Sequence, residues 1–404
     1  MNTSSEVMRR EAWMYSGPRM NPHVAQALPP LNAGLGYSSA TNIALERVLD
    51  DGAPRARYRR RSTEAKTVVH WGQRKLLLSE IEFLTAHAPR DGAPALVVYA
   101  GGAPGTHVRL LARLFPWLQF ELIDPAPFTV GSALPNVTIR QAFFDDAVAA
   151  EFAGRPRGSD PLLFISDVRS VDWELCSAEE MERKCALDMS AQMRWHQLMR
   201  PLRSLLKFRL PYAPGRTRYL AGELFLQPWG PPTTTEVRLV PDALPPRLSR
   251  GGAPPPPPLP TRMYDHTEHG ERMMHFNTCT RVARYASPVL DALARDARGG
   301  LDRCYDCVSE AAILRRYLDE VKGSFSAAAL PAAVVHLSRE VSRECSNGHG
   351  RTLLSGNLEP SARKRGMRKR QWVDGAPAYG GAAAAGRGGK RLRGSGGGGS
   401  KRQQ

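Results

Sequence analysis

Short apolar runs of strand length alternate with helical stretches through the middle of the chain, and this alternation limits the possible folds more than any other feature. An amphipathic helix is predicted over 72–87, where Leu77, Ile81 and Leu84 recur at helical spacing. Further helices are predicted over 107–115 and 177–200, among strand candidates at 96–100, 119–123, 137–139 and 162–165. Such alternation is typical of a parallel, doubly wound sheet with helices on both faces.

Three later strand candidates follow one another without long helices between them, at 204–210, 221–227 and 235–240. Parallel strands need a long crossover, whereas antiparallel strands can be joined by short connections. We therefore expect an antiparallel edge on the parallel sheet. The predicted fold class is α/β, a doubly wound Rossmann-like fold with a mixed sheet.

The composition changes at both ends of this region. Residues 1–45 are rich in Pro, Gly, Asn and Ser and are predicted to form a loosely ordered arm. Residues 46–350 are predicted to be one domain with a Pro-rich loop at 251–260. Residues 351–404 are basic, low in complexity and poor in large apolar side chains, which predicts a disordered tail. Additional helices are expected at 43–49, 283–297, 305–321 and 328–345.

The charge of the chain points to a polyanionic partner. Its 56 Lys+Arg against 39 Asp+Glu give a formal net charge of +17, and residues 361–404 contain twelve of these cations against the single acid Asp374. The tail is interpreted as a non-specific RNA tether, with a nuclear signal as the alternative. No run of 18 uncharged apolar residues indicates a membrane span, and six sparse cysteines suggest a reducing compartment.

A glycine turn follows the first predicted strand. Strand 96–100 continues into Gly101 and Gly105, and the second strand ends in Asp124, where doubly wound folds place an acid for ribose hydroxyls. The turn does not match G-x-G-x-x-G, and Pro104 removes an amide donor that a pyrophosphate would use. The turn therefore favours a nucleoside-like ligand without phosphates, such as S-adenosylmethionine, over NAD.

Four charged residues stand around this turn in the order Lys75, Asp167, Lys207 and Glu236. Lysine can be tuned to titrate near neutrality, whereas arginine cannot, so a lysine among carboxylates is a candidate proton acceptor. Taken alone, Lys207 also fits a solvated position on a strand face. The grouping of all four residues around a predicted ligand turn favours catalysis.

Four sequence runs resemble those of a known family: Gly-Gln-Arg-Lys-Leu-Leu-Leu at 72–78, Val-Val-Tyr-Ala-Gly-Gly-Ala-Pro-Gly-Thr-His at 97–107, Leu-Ile-Asp at 122–124 and Ile-Ser-Asp-Val-Arg-Ser at 165–170. They resemble the poxvirus proteins that methylate mRNA caps at the ribose 2′-oxygen and also serve as processivity subunits of the viral poly(A) polymerase. The resemblance spans roughly 55–290 and is shared more loosely with FtsJ-type ribosomal RNA 2′-O-methyltransferases.

The resemblance implies an S-adenosylmethionine-dependent methyltransferase fold and a catalytic tetrad of Lys75, Asp167, Lys207 and Glu236. Lys207 would act as the neutral base, its pKa lowered by Lys75 and by partial burial. Ala126 stands where the family has an arginine near the cofactor. The implied cofactor-binding residues are Gln73, Tyr99, Gly101, Gly105, Asp124, Phe144 and Arg169.

The family also holds the methylated guanine of the cap between two aromatic rings. The resemblance implies Tyr212 as one ring and Tyr58 as the other, although each also fits a packing role. Pro214 replaces the family's carboxylate after the matched ring, and Glu271 is the candidate acid, with Glu268 fitting almost as well. The implied cap and RNA contacts are Tyr58, Arg209, Tyr212, Thr234 and Glu271.

The expected partners are capped mRNA and the catalytic subunit of a viral poly(A) polymerase, in the virion and the host cytoplasm. A non-catalytic processivity subunit and an RNA 2′-O-methyltransferase without cap specificity remain alternatives. Cys304 and Cys307 are interpreted as thiols on a helix surface rather than zinc ligands. Four arginines either line an RNA groove or are solvated: Arg140, Arg169, Arg209 and Arg238.

Overall fold

The computed structural model describes residues 45–58, 69–90, 93–130, 134–155, 160–171, 176–230, 234–243, 258–283, 285–323, 325–345 and 353. The chain divides into two units, Met1–Ser361 and Ala362–Gln404, and every described residue belongs to the first. All but one residue of the predicted arm, all but one residue of the predicted tail, and most of the Pro-rich loop lie outside the described residues. Within these ranges, no helix has the length and apolarity that a membrane span requires.

A seven-stranded mixed sheet forms the centre of the first unit, with strand order β3-β2-β1-β4-β5-β8-β7. The first five strands are parallel, and β8 and β7 pair antiparallel at one edge. This arrangement confirms the predicted doubly wound α/β fold with a mixed sheet. The strands are β1 Ala95–Ala100, β2 Leu118–Ile123, β3 Val137–Arg140, β4 Leu162–Ser166, β5 Arg203–Phe208, β7 Gly222–Phe225 and β8 Val237–Pro241.

Strands β4 and β8 are buried at every position, which indicates that both faces of the sheet are covered there. Two strands outside the predicted set, β6 Arg216–Leu220 and β9 Thr261–Asp265, form a separate antiparallel pair. The helices are α1 Val69–His87, α2 Val108–Leu114, α3 Asp146–Ala153, α4 Ala178–Met199, α5 His266–Thr278, α6 Pro288–Asp291, α7 Tyr305–Tyr317 and α8 Leu330–Cys345.

Two helix predictions were wrong. Residues 45–49 are not helical, because Val48 instead forms an antiparallel bridge with Phe225 at the edge of the sheet. Within its described residues, the stretch predicted as a helix at 283–297 contains the short α6, which begins at Pro288 after its N-cap Ser287, and the start of a 3-10 turn at Arg295–Arg298. A proline is tolerated in the first turn of a helix but not within it, so the helix starts there.

The Cys304 and Cys307 thiols are not on a helix surface, which corrects the interpretation made from sequence. Cys304 is the N-cap of α7, where its sulfur accepts a hydrogen bond from the Cys307 backbone N–H at 3.5 Å, and both side chains are buried. Burial raises the pKa of the Cys307 thiol well above its usual range. Both thiols are therefore core residues, and Cys307 has little thiolate character.

Candidate active site

The four charged residues predicted from sequence meet at the carboxyl edge of the sheet as two ion pairs. Lys75 on α1 places its Nζ 2.6 Å from Glu236 Oε1, just before β8. Lys207 on β5 places its Nζ 3.0 Å from Asp167 Oδ1, just after β4. All four side chains are 12–16% exposed, so they are screened from bulk water but remain accessible to a ligand.

Asp167 lies beside the glycine turn because β1 and β4 are neighbouring parallel strands. Its backbone N–H donates to Ala100 O at 2.9 Å. Gly101 has φ +80°, and a Cβ there would lie 2.7 Å from Val168 N, so this close approach requires glycine. Asp167 therefore lies beside the carboxyl end of β1, at the carboxyl edge of the sheet.

A fifth charged residue, Arg238, belongs to this centre. Its Nη2 lies 2.6 Å from Asp167 Oδ1, and its side chain is only 1% exposed. The structure therefore corrects both interpretations of Arg238, since it is neither solvated nor in an RNA groove. The signal was available in the sequence, because alternation along a strand places residues 236 and 238 on the same face.

The pKa values of the two carboxyls are low because of the cations around them. Burial acts to raise the pKa of Asp167, but the charges of Lys207 and Arg238 outweigh it and bring that pKa to about 2. Burial likewise opposes the shift at Glu236, yet Lys75 and Lys207 hold its pKa well below the usual range. Both carboxylates are therefore ionised at neutral pH.

The pKa of Lys207 is lowered, as predicted, but the neighbours responsible differ from those expected. Burial is the largest cause, and the charges of Arg169 and Arg238 add to the lowering against the opposing effect of Asp167 and Glu236. Lys75 is instead paired with Glu236. Arg169 lies 3.6 Å from Glu236 Oε2, so it belongs to this charged cluster.

The glycine turn is tied to Asp124 and Gln73. Asp124 accepts hydrogen bonds from the backbone N–H groups of Ala103 at 3.2 Å and Ala126 at 2.8 Å. Gln73 Oε1 accepts from Thr106 Oγ1 at 2.9 Å, which joins the start of α1 to the turn. Ala126 therefore contributes its backbone N–H to Asp124, although it has no side chain that could reach a ligand.

These residues fit a nucleoside ligand without phosphates. Gly105 also has a positive φ, +68°, and the two glycines keep side chains out of the turn, while the Asp124 carboxylate suits a ribose diol. Phe144 is 5% exposed and packs against Phe164 and Trp195. Tyr99 does not reach the turn with its hydroxyl, because it is fully buried and donates to Glu80 Oε1 at 2.5 Å.

The two predicted cap rings do lie together. The ring centroids of Tyr58 and Tyr212 are 5.3 Å apart, and the ring planes are inclined by 22°. Arg209 places its guanidinium carbon 4.5 Å from the Tyr212 ring centroid and forms an ion pair with Glu182. Arg209, directly after β5, therefore packs on one of the rings and is paired with Glu182 on α4 rather than being a solvated charge.

The two candidate acids lie beside this pair of rings on α5. Both face Arg55, at 3.1 Å from Glu268 Oε1 and 3.7 Å from Glu271 Oε2, so the geometry does not separate them. Thr234 contacts Glu236, since its Oγ1 accepts a hydrogen bond from the Glu236 backbone N–H at 3.1 Å. Its role as an RNA contact stays a prediction.

Comparison with known proteins identifies the family. The family model described as poly A polymerase regulatory subunit matches residues 49–285, more than half of the chain. The chain belongs to the poly(A) polymerase regulatory subunit family. All predicted site residues of this family member lie within the matched segment, whereas α6, α7 and α8 follow it in the chain.

Curated relatives of this family member carry the name cap-specific mRNA (nucleoside-2′-O-)-methyltransferase. The fowlpox virus protein (strain NVSL) is 31% identical over 179 residues, which are 42% of this chain and 57% of that protein. The myxoma virus protein (strain Lausanne) is 31% identical over 188 residues, 43% of this chain and 53% of that protein. The chain thus spans little more than half the length of the curated relatives it matches.

A solved structure of a bluetongue virus protein, described as a multifunctional RNA-capping production-line, matches 52% of this chain and 35% of its own. The sequence identity is 14% and the TM-score is 0.33, which is too low to support a structural argument. Within the described ranges, no three His, Cys, Asp or Glu side chains lie close enough together to hold a metal ion.

Proposed function

We propose that this protein transfers a methyl group from S-adenosylmethionine to the ribose 2′-hydroxyl of the first transcribed nucleotide of N7-methylguanosine-capped mRNA. The observation that carries the proposal is the pair of lysine–carboxylate contacts beside the glycine turn, Lys75–Glu236 and Lys207–Asp167. The names of the fowlpox and myxoma virus relatives support the same activity.

Asp124, Gly101, Gly105 and Phe144 would hold S-adenosylmethionine, which supplies a methyl group on a sulfonium when it is bound. The Asp124 carboxylate would accept hydrogen bonds from the ribose, and the glycines would let the backbone approach the ligand. Gln73 would hold the shape of the turn through Thr106. These roles use backbone and side-chain groups already fixed at the carboxyl edge of the sheet.

The chain's own residues would handle the proton. A ribose 2′-hydroxyl is a weak nucleophile and must lose its proton as it attacks, so an acceptor with a lowered pKa is needed. The neutral Lys207 Nζ would take this proton. Asp167, held by Arg238, would then stabilise the resulting ammonium, while the Lys75–Glu236 pair would keep the neighbouring charges in place.

The rate of methyl transfer is expected to rise with pH to a plateau, with a midpoint below the ordinary lysine pKa of about 10.4. Burial and the nearby arginines lower the pKa of Lys207, and the neutral amine is the active form. Arg169→Gln removes one cation that disfavours protonation, so it should raise the pKa of Lys207 and move the midpoint to higher pH. The measurement is kcat against pH for both proteins, and an unchanged midpoint contradicts the base role.

Tyr58 and Tyr212 would hold the cap guanine. A base between two rings needs ring planes about 7 Å apart, because each carbon contact takes about 3.5 Å. The rings contact each other in the structure, so cap binding would require them to separate. The methylated guanine carries a positive charge that favours π faces, which would give the methylated cap an advantage over the unmethylated one.

Tyr212→Ala is expected to raise the KM for capped RNA by about 10- to 100-fold, because stacking on one aromatic ring contributes about 1–3 kcal/mol. Tyr212→Phe keeps the ring and serves as the matched control, with a KM close to that of the wild type. Steady-state kinetics on N7-methyl-capped RNA measure both variants. Equal KM values for the alanine and phenylalanine variants would remove Tyr212 from the cap site.

The proposed function is tested by methyl transfer from labelled S-adenosylmethionine to short RNAs ending in an N7-methylated cap, an unmethylated cap or a triphosphate. We expect transfer to the methylated cap alone. Equal transfer to all three ends would leave an RNA methyltransferase without cap specificity. Intact RNA binding with no transfer would leave a non-catalytic processivity subunit.

Family membership supports a second role, as the regulatory subunit of a poly(A) polymerase. We propose that the protein has this role in the virion and the host cytoplasm of a virus. The proposed partner is the catalytic subunit of that polymerase, in a heterodimer. Co-purification of the two subunits, followed by measurement of poly(A) tail length with and without this chain, tests that role. A tail length that does not depend on this chain would contradict it.

A further inference from the structure

Helix α7 carries two carboxylates that are completely buried, Asp306 and Glu310. They lie four residues apart, about one helical turn, and so lie on the same face of α7. A buried carboxylate is stable only where donors surround it. The groups that donate hydrogen bonds to these two carboxylates belong to the helix that carries Lys75 and to the segment that precedes Glu236.

Glu310 holds the helix that bears Lys75. Its two carboxylate oxygens accept from Arg74 Nε at 2.8 Å and from Arg74 Nη2 at 2.5 Å, which forms a bidentate pair that is 3% and 0% exposed. Arg74 also donates to Ser342 Oγ on α8 at 2.8 Å. Because Arg74 immediately precedes Lys75, this pair fixes the position of α1 at the catalytic lysine.

Asp306 forms a hydrogen bond with the segment that connects β7 to Glu236. One Asp306 oxygen accepts from the Trp229 backbone N–H at 2.9 Å, and the Trp229 indole donates to Glu310 Oε2 at 2.7 Å. Trp229 has a positive φ of 61°, a backbone conformation that needs such support. Asp306 therefore fixes the chain where it leaves β7 on the way to Glu236.

A second route leads from Asp306 to Glu236 through buried side chains. Arg281 Nε donates to Asp306 Oδ1 at 3.0 Å, and Arg281 Nη1 donates to Asn277 Oδ1 at 3.0 Å. Asn277 in turn donates to Thr234 O at 2.8 Å, and Thr234 Oγ1 accepts from the Glu236 N–H. Each step is a direct hydrogen bond, so the route is contiguous.

We propose that Asp306 and Glu310 are positioning residues that set the distance between Lys75 and Glu236, so that α7 is part of the catalytic apparatus although it lies beyond the segment matched by the family model. This inference rests on the proposed function, because the positioned pair is the one that function uses. Small displacements of catalytic groups reduce the rate strongly even when the substrate still binds.

The test is a double variant, Arg74→Met/Glu310→Gln, which removes both charges of the buried pair and leaves no unpaired ion. The glutamine keeps an acceptor for the Trp229 indole. The matched control is Arg47→Met/Glu82→Gln. That bidentate pair also joins α1 to α7, through Arg47 Nη1 and the Tyr305 hydroxyl, but it lies two turns further along α1.

The double variant is expected to lower kcat by about 10- to 100-fold, with the KM for capped RNA nearly unchanged, because the cap rings lie on other segments. NMR of ¹³C-labelled lysine gives a second measurement that does not need activity. The ε-carbon resonances of Lys75 and Lys207 should shift in the double variant and remain at their wild-type positions in the control. Lys75→Arg and Lys207→Arg variants assign these resonances.

Unchanged kcat and unshifted lysine resonances in the double variant would overturn the proposal. Absence of methyl transfer by the wild type would overturn the proposed function instead, and the resonances would still decide the positioning role. Asp306→Asn tests the second route, from Asp306 through Arg281 and Asn277. It serves in place of the double variant if the double variant does not fold. It keeps an acceptor for the Trp229 N–H but removes the charge facing Arg281, and the same resonances should shift.

Discussion

Lys207→Ala is expected to lower kcat for methyl transfer by about 10³-fold, within the range that a positioned general base contributes. Within the part of the chain that the structure describes, Lys207 is the one side chain of lowered pKa that forms an ion pair with Asp167. Binding of capped RNA should persist, because the aromatic pair lies elsewhere. Single-turnover transfer and RNA binding, measured on the same preparation, check this result.

Two further lysine variants sharpen this prediction. Lys184→Ala is the control, since Lys184 lies on α4 and forms its ion pair with Glu180, at 3.5 Å, rather than with Asp167 or Glu236. It should retain wild-type kcat. Lys207→Arg keeps a positive charge that cannot be lost at accessible pH, so it should be as inactive as the alanine variant. Substantial activity in Lys207→Arg would contradict proton acceptance by Lys207.

Glu310→Leu is expected to lower the free energy of unfolding by about 3–5 kcal/mol, because removing one partner of a buried ion pair leaves the other charge buried and unpaired. The Arg74 guanidinium would remain buried, and the Trp229 indole would lose its acceptor. Denaturant unfolding followed by circular dichroism measures the change. The double variant that removes both charges should recover much of the lost stability.

Glu320→Leu is the matched surface control for this measurement. Glu320 is 30% exposed and forms an i,i+4 ion pair with Arg316, so its loss should cost at most about 1 kcal/mol. Similar losses in the two leucine variants would show that the buried network around Glu310 has no special stabilising role.

The sequence-level predictions succeeded where the signal was local. Apolar runs bounded by turn residues located β1 and β4 within a residue, and the glycine turn followed β1 as expected. The order of residue types at 75, 167, 207 and 236 identified groups that the sheet then brought together, because parallel strands end at a common edge. The catalytic set could therefore be proposed before its geometry was known.

The predictions failed where the partner lies far along the chain. Arg74 and Glu310 are separated by 236 positions, and no spacing rule connects them. The first turns of α7 are buried almost all round, although polar residues such as Asp306 make that helix look half-exposed in sequence. The burial of Cys307 was missed for the same reason. The helix predicted around Val48 is absent because Val48 instead pairs with Phe225, a strand residue far along the chain.

The most direct test of the central claim uses two N7-methyl-capped RNAs that differ in a single oxygen atom. One carries the natural ribose at the first transcribed nucleotide and the other a 2′-deoxyribose there. We predict transfer of labelled methyl to the first RNA, with the label recovered on its ribose 2′-oxygen, and no transfer to the second. Equal labelling of both RNAs would place the methyl elsewhere and contradict the account.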